Sequence, residues 1–435
     1  MLGIIIGLAL LMVLAYRGYS IIWIAPLCAI VVALTGGLEL LPAYREIYME
    51  GFVGFTKSWF LVFMLGAIFG KLMDYTGGAK SIARWLTKVL GPKRAILSVI
   101  VGCGVLTYGG ISLFVVVFAM YPLALELFRE ANITRKLIPG AIALGSFTFT
   151  MTAIPGTPQI QNLIPTDYFH TTPTAAPIMG TVAGLILLVG GYLYLKWRAK
   201  QFAAKGEGFI EPEKTLGSSE TAVTSESETM VLPHPLLAFI PLIAVIITLN
   251  VLDWDIVVAL LAGIIMAMII SPKKFKGFTK TISEGATGSM LSIINTSAAV
   301  GFGKVVGAVP GFQALTNLIM NIKGSPLISE AIAVNLLAGA TGSASGGMGI
   351  ALEALGEKYY QLALETGISA EAFHRIVSLA SGGLDTLPHN GAVLTLLAVT
   401  GMTHKDSYID IFVTSVLLPV VATIVAIILG SLGIY

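Results

Sequence analysis

Three observations predict an all-α polytopic membrane protein made of two inverted repeats. The second half of the 435-residue chain repeats the first at a separation near 233 residues. The composition is 56% hydrophobic and only 11% charged, where a soluble domain carries about 25% charged residues. Finally, most basic residues fall on one side of the arrangement that the repeat implies. Each half is expected to hold about five transmembrane helices plus one re-entrant hairpin and one broken helix.

The repeat is carried by matched local features. Glu50-Gly51 and Gly54 return as Glu284-Gly285 and Gly288, and Gly70-Lys71 returns as Gly303-Lys304. Thr107-Tyr108-Gly109-Gly110 has its partner in Ser343-Ala344-Ser345-Gly346-Gly347, and Pro155-Gly156-Thr157 in Pro388-His389-Asn390. Long apolar runs cover 21–41, 58–73, 175–197, 236–252, 256–270, 290–308 and 409–432. The 2–16 stretch lacks a basic flank and a small-residue cleavage site, so it reads as a first, short span rather than a signal peptide. With the N-terminus outside, the inner face receives 20 of the 26 basic residues; Arg45, Lys57, Lys304, Lys323, Lys358 and Arg375 stay outside. Cytoplasmic loops carry such an excess. An odd number of spans per half inverts the second half, and both termini are then expected outside.

These features divide the chain into a first repeat at 1–197, a cytoplasmic linker at 198–232 and a second repeat at 233–435. The linker reads as a mobile tether because it is rich in Ser, Glu and Gly. The stretches 79–90 and 312–322 are amphipathic; Lys80, Arg84 and Lys88 recur on one helical face, which suits the membrane interface. Cys28 and Cys103 lie in apolar runs and read as small core residues.

Two pairs of interruptions point to function. The hairpins are placed at 95–130 and 326–362. The first apolar arm, up to Leu106, would be roughly 18 Å long as a helix against a hydrocarbon core of about 30 Å, so it cannot cross alone. Gly and Ser at such density mark either backbone exposed to a cavity or a close helix crossing. The broken helices are placed at 137–163 and 372–400. There proline removes a helix donor, and the freed backbone groups must face protein, water or substrate. Half-helix N-termini turned toward a central cavity suit a carboxylate. Thr107, Tyr108, Gly109, Gly110, Ser112, Gly156, Thr157, Gln159, Asn162, Ser343, Ser345, Gly346, Gly347 and Asn390 are therefore the candidate substrate-binding residues.

Asp385 and His389 are the candidates for proton coupling, since an ionisable group inside the membrane is functional by default. Asp385 also reads as a cap for the half-helix after Pro388. Lys71 and Lys304 read as snorkelling residues, Glu126 and Glu353 as gates or solvated charges, and His170 as an exposed loop residue. The five histidines are scattered, with no metal-helix or nucleophile-elbow motif, which argues against an intramembrane enzyme. No cofactor, metal or nucleic-acid partner is expected. A cation/proton antiporter remains an alternative, although the breaks carry amides, hydroxyls and glycines rather than paired acids.

The runs Tyr108-Gly109-Gly110-Ile111-Ser112, Pro155-Gly156-Thr157-Pro158-Gln159 and Ser381-Gly382-Gly383-Leu384-Asp385-Thr386-Leu387-Pro388-His389 resemble the gluconate permease (GntP) family over the whole chain. The resemblance implies a bacterial inner-membrane symporter that couples protons to gluconate or a similar organic acid anion. It also implies the dimeric, inverted-repeat, elevator-type architecture of the ion transporter superfamily. That superfamily's sodium-dependent dicarboxylate carriers have Ser-Asn-Thr at both hairpin tips. The tips here differ, so no sodium site is carried over.

Overall fold

The computed structural model describes residues 2–17, 19–212, 232–312, 314 and 324–435. Among these residues every regular element is helical. In the first half they are α1 (Leu2–Tyr16), α2 (Ile21–Gly36), α3 (Met49–Tyr75), α4 (Gly78–Leu90), α5 (Ala95–Tyr108), α6 (Leu113–Glu130), α7 (Ile138–Ser146), α8 (Ile160–Phe169) and α9 (Pro177–Ala204). The second half holds α10 (Pro235–Asn250), α11 (Ile256–Ile269), α12 (Phe275–Ala308), α13 (Pro326–Thr341), α14 (Ala344–Thr366), α15 (Ala370–Ser381), α16 (Gly391–Thr400), α17 (His404–Phe412) and α18 (Leu418–Ser431). The order repeats, with α10, α11 and α12 matching α1, α2 and α3, and α13 to α16 matching α5 to α8. Most of the stretch 312–322, read as the partner of α4, lies outside the described residues.

The helices start where short polar side chains can satisfy the first free N–H groups. Ser20 accepts from Ile22 N before α2, and Asp255 from Val257 N before the repeat-related α11. Thr403 and Asp406 form a capping box on α17. Gly37, Gly342, Gly367 and Gly401 end their helices in the left-handed region, which costs glycine nothing. Four helical runs are long and apolar enough to cross a membrane: Leu40–Tyr75, Pro177–Ala204, Pro272–Ala308 and His404–Ser431. The remaining apolar helices are shorter, down to ten residues in Gly391–Thr400.

The inversion is visible in how α3 packs on α12. Lys71 of α3 pairs with Glu284 of α12 at 3.4 Å, and Lys304 of α12 pairs with Glu50 of α3 at 3.5 Å. Position therefore rises along α3 as it falls along α12, so the two repeat-related helices run antiparallel. Only a two-fold axis across the helices produces this exchange of partners. The glycines agree. A Cβ on Gly51 would meet Lys304 and the Val300 carbonyl, and one on its repeat mate Gly285 would meet the backbone of Ile68. Lys71 and Lys304, read as snorkelling residues, each have an acidic partner on the facing repeat helix.

Two further corrections concern charge. Arg375, expected on the outer face, is fully buried in α15. The segment read as a linker begins as helix, because α9 continues past Trp197 to Ala204. Its next residues are docked rather than free: Arg129 holds Glu211 at 2.6 Å, Lys136 holds Glu207 at 2.8 Å, and Phe209 N donates to Asn132 Oδ1. Residues 213–231 of that segment lie outside the described residues. On α4, Arg84 and Lys88 are exposed beside Trp85 and Val89, giving an amphipathic surface.

Candidate functional site

Each hairpin tip is tied to the helix break of its own half. In the first half, α7 passes through a π-helical turn at Phe149–Ala153, and the chain opens at Ile154 before α8 resumes. Gly156 takes a φ of +79°, which favours glycine. The carbonyls freed by this break are collected by side chains. Thr157 Oγ1 donates to the Thr150 carbonyl at 2.8 Å, Asn162 Nδ2 to the Thr157 carbonyl at 3.0 Å, and Asn250 Nδ2 of α10 to the Gly156 carbonyl at 2.9 Å. Gln159 Nε2 reaches across to the tip and donates to the Thr107 carbonyl at 2.7 Å. Tyr108 returns the contact, its hydroxyl donating to the Pro155 carbonyl at 2.9 Å.

The second half uses the same device. Asn390 caps α16 by accepting from Val393 N, and its Nδ2 donates to the Gly342 carbonyl at the second tip at 2.9 Å. Asn390 is therefore the cap of the restarted half-helix, which removes that reading for Asp385. Ser343 caps α14 through Gly346 N, and Ser345 Oγ lies 3.3 Å from Thr296 Oγ1 of α12. His389 sits against Gly342, and the Thr386 hydroxyl donates to the Ser415 carbonyl at 2.9 Å. The two assemblies meet where the Ser378 hydroxyl of α15 donates to the Thr152 carbonyl at 2.8 Å, and where Gly382 abuts Thr152.

The candidate residues thus divide by what their polar atoms do. Thr157, Gln159, Asn162, Ser343 and Asn390 are occupied in holding the breaks and tips. Gly109 packs against Leu242, and Gly347 meets the backbone of Ala338 across the second hairpin, so both are close-packing positions. Gly110 reaches a φ of +91° beside Pro158. Ser112 and Gly346 flank the tips and start the outgoing arms α6 and α14. The Thr107 hydroxyl and Asp385 Oδ1 are different: both are buried, and neither has a hydrogen-bond partner among the described residues.

The model of the GntP family permease matches residues 1–429. The chain belongs to the GntP family of permeases. It is 45% identical over 444 residues to the uncharacterized transporter YxjC of Bacillus subtilis (strain 168), covering 94% of each chain. An uncharacterized transporter of Haemophilus influenzae (strain ATCC 51907 / DSM 11121 / KW20 / Rd) is 24% identical, over 79% of this chain and 78% of its own. Among solved structures, the Alcanivorax borkumensis YdaH transporter, whose crystal structure is described as having an unusual topology, is similar with a TM-score of 0.60. That likeness covers 90% of this chain and 89% of the other at 13% identity, and it concerns the fold alone. The protein is accordingly a multi-pass membrane transporter and not an enzyme.

The permease has an open cleft of roughly 320 Å³, lined by Glu50, Trp59, Asp167, Tyr168, Lys304 and Glu353 among others. At its mouth Lys304 binds Glu353 at 2.8 Å, and the Tyr168 hydroxyl points at Glu353 from 3.4 Å. Lys304 stands eight residues beyond Thr296 on α12, and Glu353 eight beyond Ser345 on α14. At 1.5 Å per residue, the ion pair lies about 12 Å above the Thr296–Ser345 contact. The cleft is lined mainly by α3, from Glu50 to Trp59, with Asp167 and Tyr168 of α8 opposite the ion pair.

Sequence reasoning missed three polar features of the permease. Arg375 donates to Asn162 Oδ1 at 2.8 Å and to the Ala175 carbonyl at 2.6 Å, clamping the 173–176 turn onto α15. His374 lies beside it, 2.6 Å from the Thr171 hydroxyl. Glu330, on the incoming arm α13, is fully buried. Its signal was present in the sequence, an ionisable residue inside an apolar run.

Proposed function

We propose that this permease is a proton-coupled symporter of a small organic acid anion such as gluconate, working as a homodimer in the bacterial inner membrane. The observation that carries this reading is the pair of hairpin tips, each tied by an amide side chain to the helix break of its own half. A tip that is hydrogen-bonded to a break can close over an anion at the half-helix N-terminus or lift away from it, and inverted halves supply one such gate for each side. The free Thr107 hydroxyl is the substrate donor on this reading, with Tyr108 next to it at the first tip and Ser345 at the second. Thr157, Gln159, Asn162 and Asn390 act through the backbone they hold. The cleft at Lys304 and Glu353 serves as the outer vestibule on this reading, with both termini outside. Movement of the tip–break assemblies against α3 and α12 provides the elevator step.

Asp385, one turn from the second break, and His389 couple the proton on this reading. A bound carboxylate favours protonation of a neighbouring carboxyl, so anion and proton promote each other by the same factor. Proteoliposomes with an imposed proton gradient test it. Saturable uptake that accumulates with the gradient and is competed by gluconate or a related hydroxy acid is expected. Uptake indifferent to the gradient rejects symport, and competition by none of a panel of hydroxy acids rejects the substrate class. Asp385→Asn should abolish accumulation and retain counterflow; full accumulation by this variant removes Asp385 from coupling.

A further inference from the structure

Glu330 stands one turn into α13, the incoming arm of the second hairpin, and is completely inaccessible to solvent. Among the described residues neither carboxyl oxygen has a hydrogen-bond partner. The elements packed against α13 are α1, α14, α15 and α18. Among the described residues α18 contains no ionisable side chain, and α1 contains only Tyr16. On α15, Glu371 accepts from Ala176 N at 2.8 Å, while His374 and Arg375 are bound to Thr171, Asn162 and Ala175. On α14, Glu353 is held by Lys304, Glu357 by Gln361, and Lys358 is partly exposed. On the same helix the buried phenol of Tyr359 acts electrostatically on Glu330. An isolated carboxylate charge cannot be held in such a place, because desolvation outweighs anything the surroundings return. The closed packing of α13 on α14 therefore requires a neutral Glu330, and a charged Glu330 requires water, hence a parted hairpin.

We propose that Glu330 is a proton-loading carboxyl of the second hairpin, taking up one proton from water as the hairpin arms seat and releasing it to water when they part. This rests on the proton-symport reading, and adds to it a coupling group about three turns from the tip rather than at the helix break. Only an O–H bond forms and breaks.

The test compares wild type, Glu330→Gln and Asp385→Asn in proteoliposomes, each for gradient-driven accumulation and for counterflow. One coupled proton supports about tenfold accumulation for each pH unit imposed. Glu330→Gln, fixed in the neutral form, is expected to lose that accumulation while keeping counterflow. Retained accumulation overturns the proposal, and so does loss of counterflow in a folded, monodisperse protein. Where Glu330→Gln does not fold, Tyr359→Phe replaces it: a shift in the pH dependence of uptake is expected, and an unchanged profile overturns the assignment. If wild type shows no dependence on the gradient, symport itself fails and the assignment falls with it. A coupled wild type with a coupled Glu330→Gln rejects the residue alone.

Discussion

Substituting Gly285 by alanine tests the antiparallel contact of α3 with α12 on which the inverted architecture rests. An added Cβ would lie 2.7 Å from Ile68 Cα and 3.1 Å from Ile68 N, whereas ordinary contact begins at 3.4 Å. The obstacle is backbone, so no rotamer change relieves it. The helices must part by about 0.7 Å locally, and overpacking of this kind costs roughly 1–3 kcal/mol. Alanine also favours helix over glycine by about 1 kcal/mol, which offsets part of the loss. Gly288 is the internal control: it lies one turn further along the same helix, and a Cβ there meets nothing within 4 Å. Because the helix preference cancels between the two variants, Gly285→Ala should be about 1–3 kcal/mol less stable than Gly288→Ala. Gly51→Ala should fall on the same side as Gly285→Ala, since its Cβ would lie 2.8 Å from Lys304 Cβ and 3.1 Å from the Val300 carbonyl. Melting of the purified variants by tryptophan fluorescence in one detergent ranks them. A Gly285→Ala protein that melts at or above Gly288→Ala would refute backbone contact between the repeat-related helices at this point.

Thr107→Val keeps the shape of a buried side chain but deletes its one unpartnered hydroxyl. Losing a substrate hydrogen bond of about 1–3 kcal/mol should weaken apparent affinity roughly 5- to 100-fold without lowering the melting temperature, as read by uptake kinetics and melting together. Arg375→Met should destabilise the fold, because it orphans the Ala175 carbonyl at about 1–3 kcal/mol and leaves Asn162 Oδ1 only the 3.4 Å contact with His374. Arg375→Lys should recover only part of this, since an ammonium lacks the planar fork, and the melts of both variants check it. The Lys136 ammonium holds the Glu207 carboxyl below its ordinary 4.5, and the Arg129 guanidinium does the same for Glu211. A depressed carboxyl contributes its stabilisation above the ordinary value and loses it as pH falls through the folded one. Docking of residues 205–212 should therefore persist at neutral pH and loosen only as pH falls below the ordinary 4.5 of these carboxyls, and a Glu207→Gln/Glu211→Gln variant should be cut there by protease already at neutral pH.

What the sequence determined by itself was whatever depends on local backbone chemistry. Proline and glycine interrupt a helix wherever they stand, so the breaks at Pro155 and Pro388 and the tips at Gly109 and Gly346 were legible. The 233-residue repeat then implied two matching halves, and an odd number of spans implied their inversion. The tertiary structure alone decided what each polar group faces. Gln159 and Asn162 looked like substrate ligands because amides near a break are short of partners; their partners, the carbonyls of Thr107 and Pro173, arrive from other segments. Asn250 closes the first break from the other half of the chain, and no local pattern links it to Gly156. Arg375 was assigned to the outer surface by its position in a loop count, whereas the packing of α8, α14 and α18 around α15 buries it. Lys71 and Lys304 acquire their partners only when α3 and α12 are laid antiparallel, because Glu284 and Glu50 are more than two hundred residues away in the chain. Local propensity is a property of neighbouring residues, but burial and pairing depend on which helices the fold brings together.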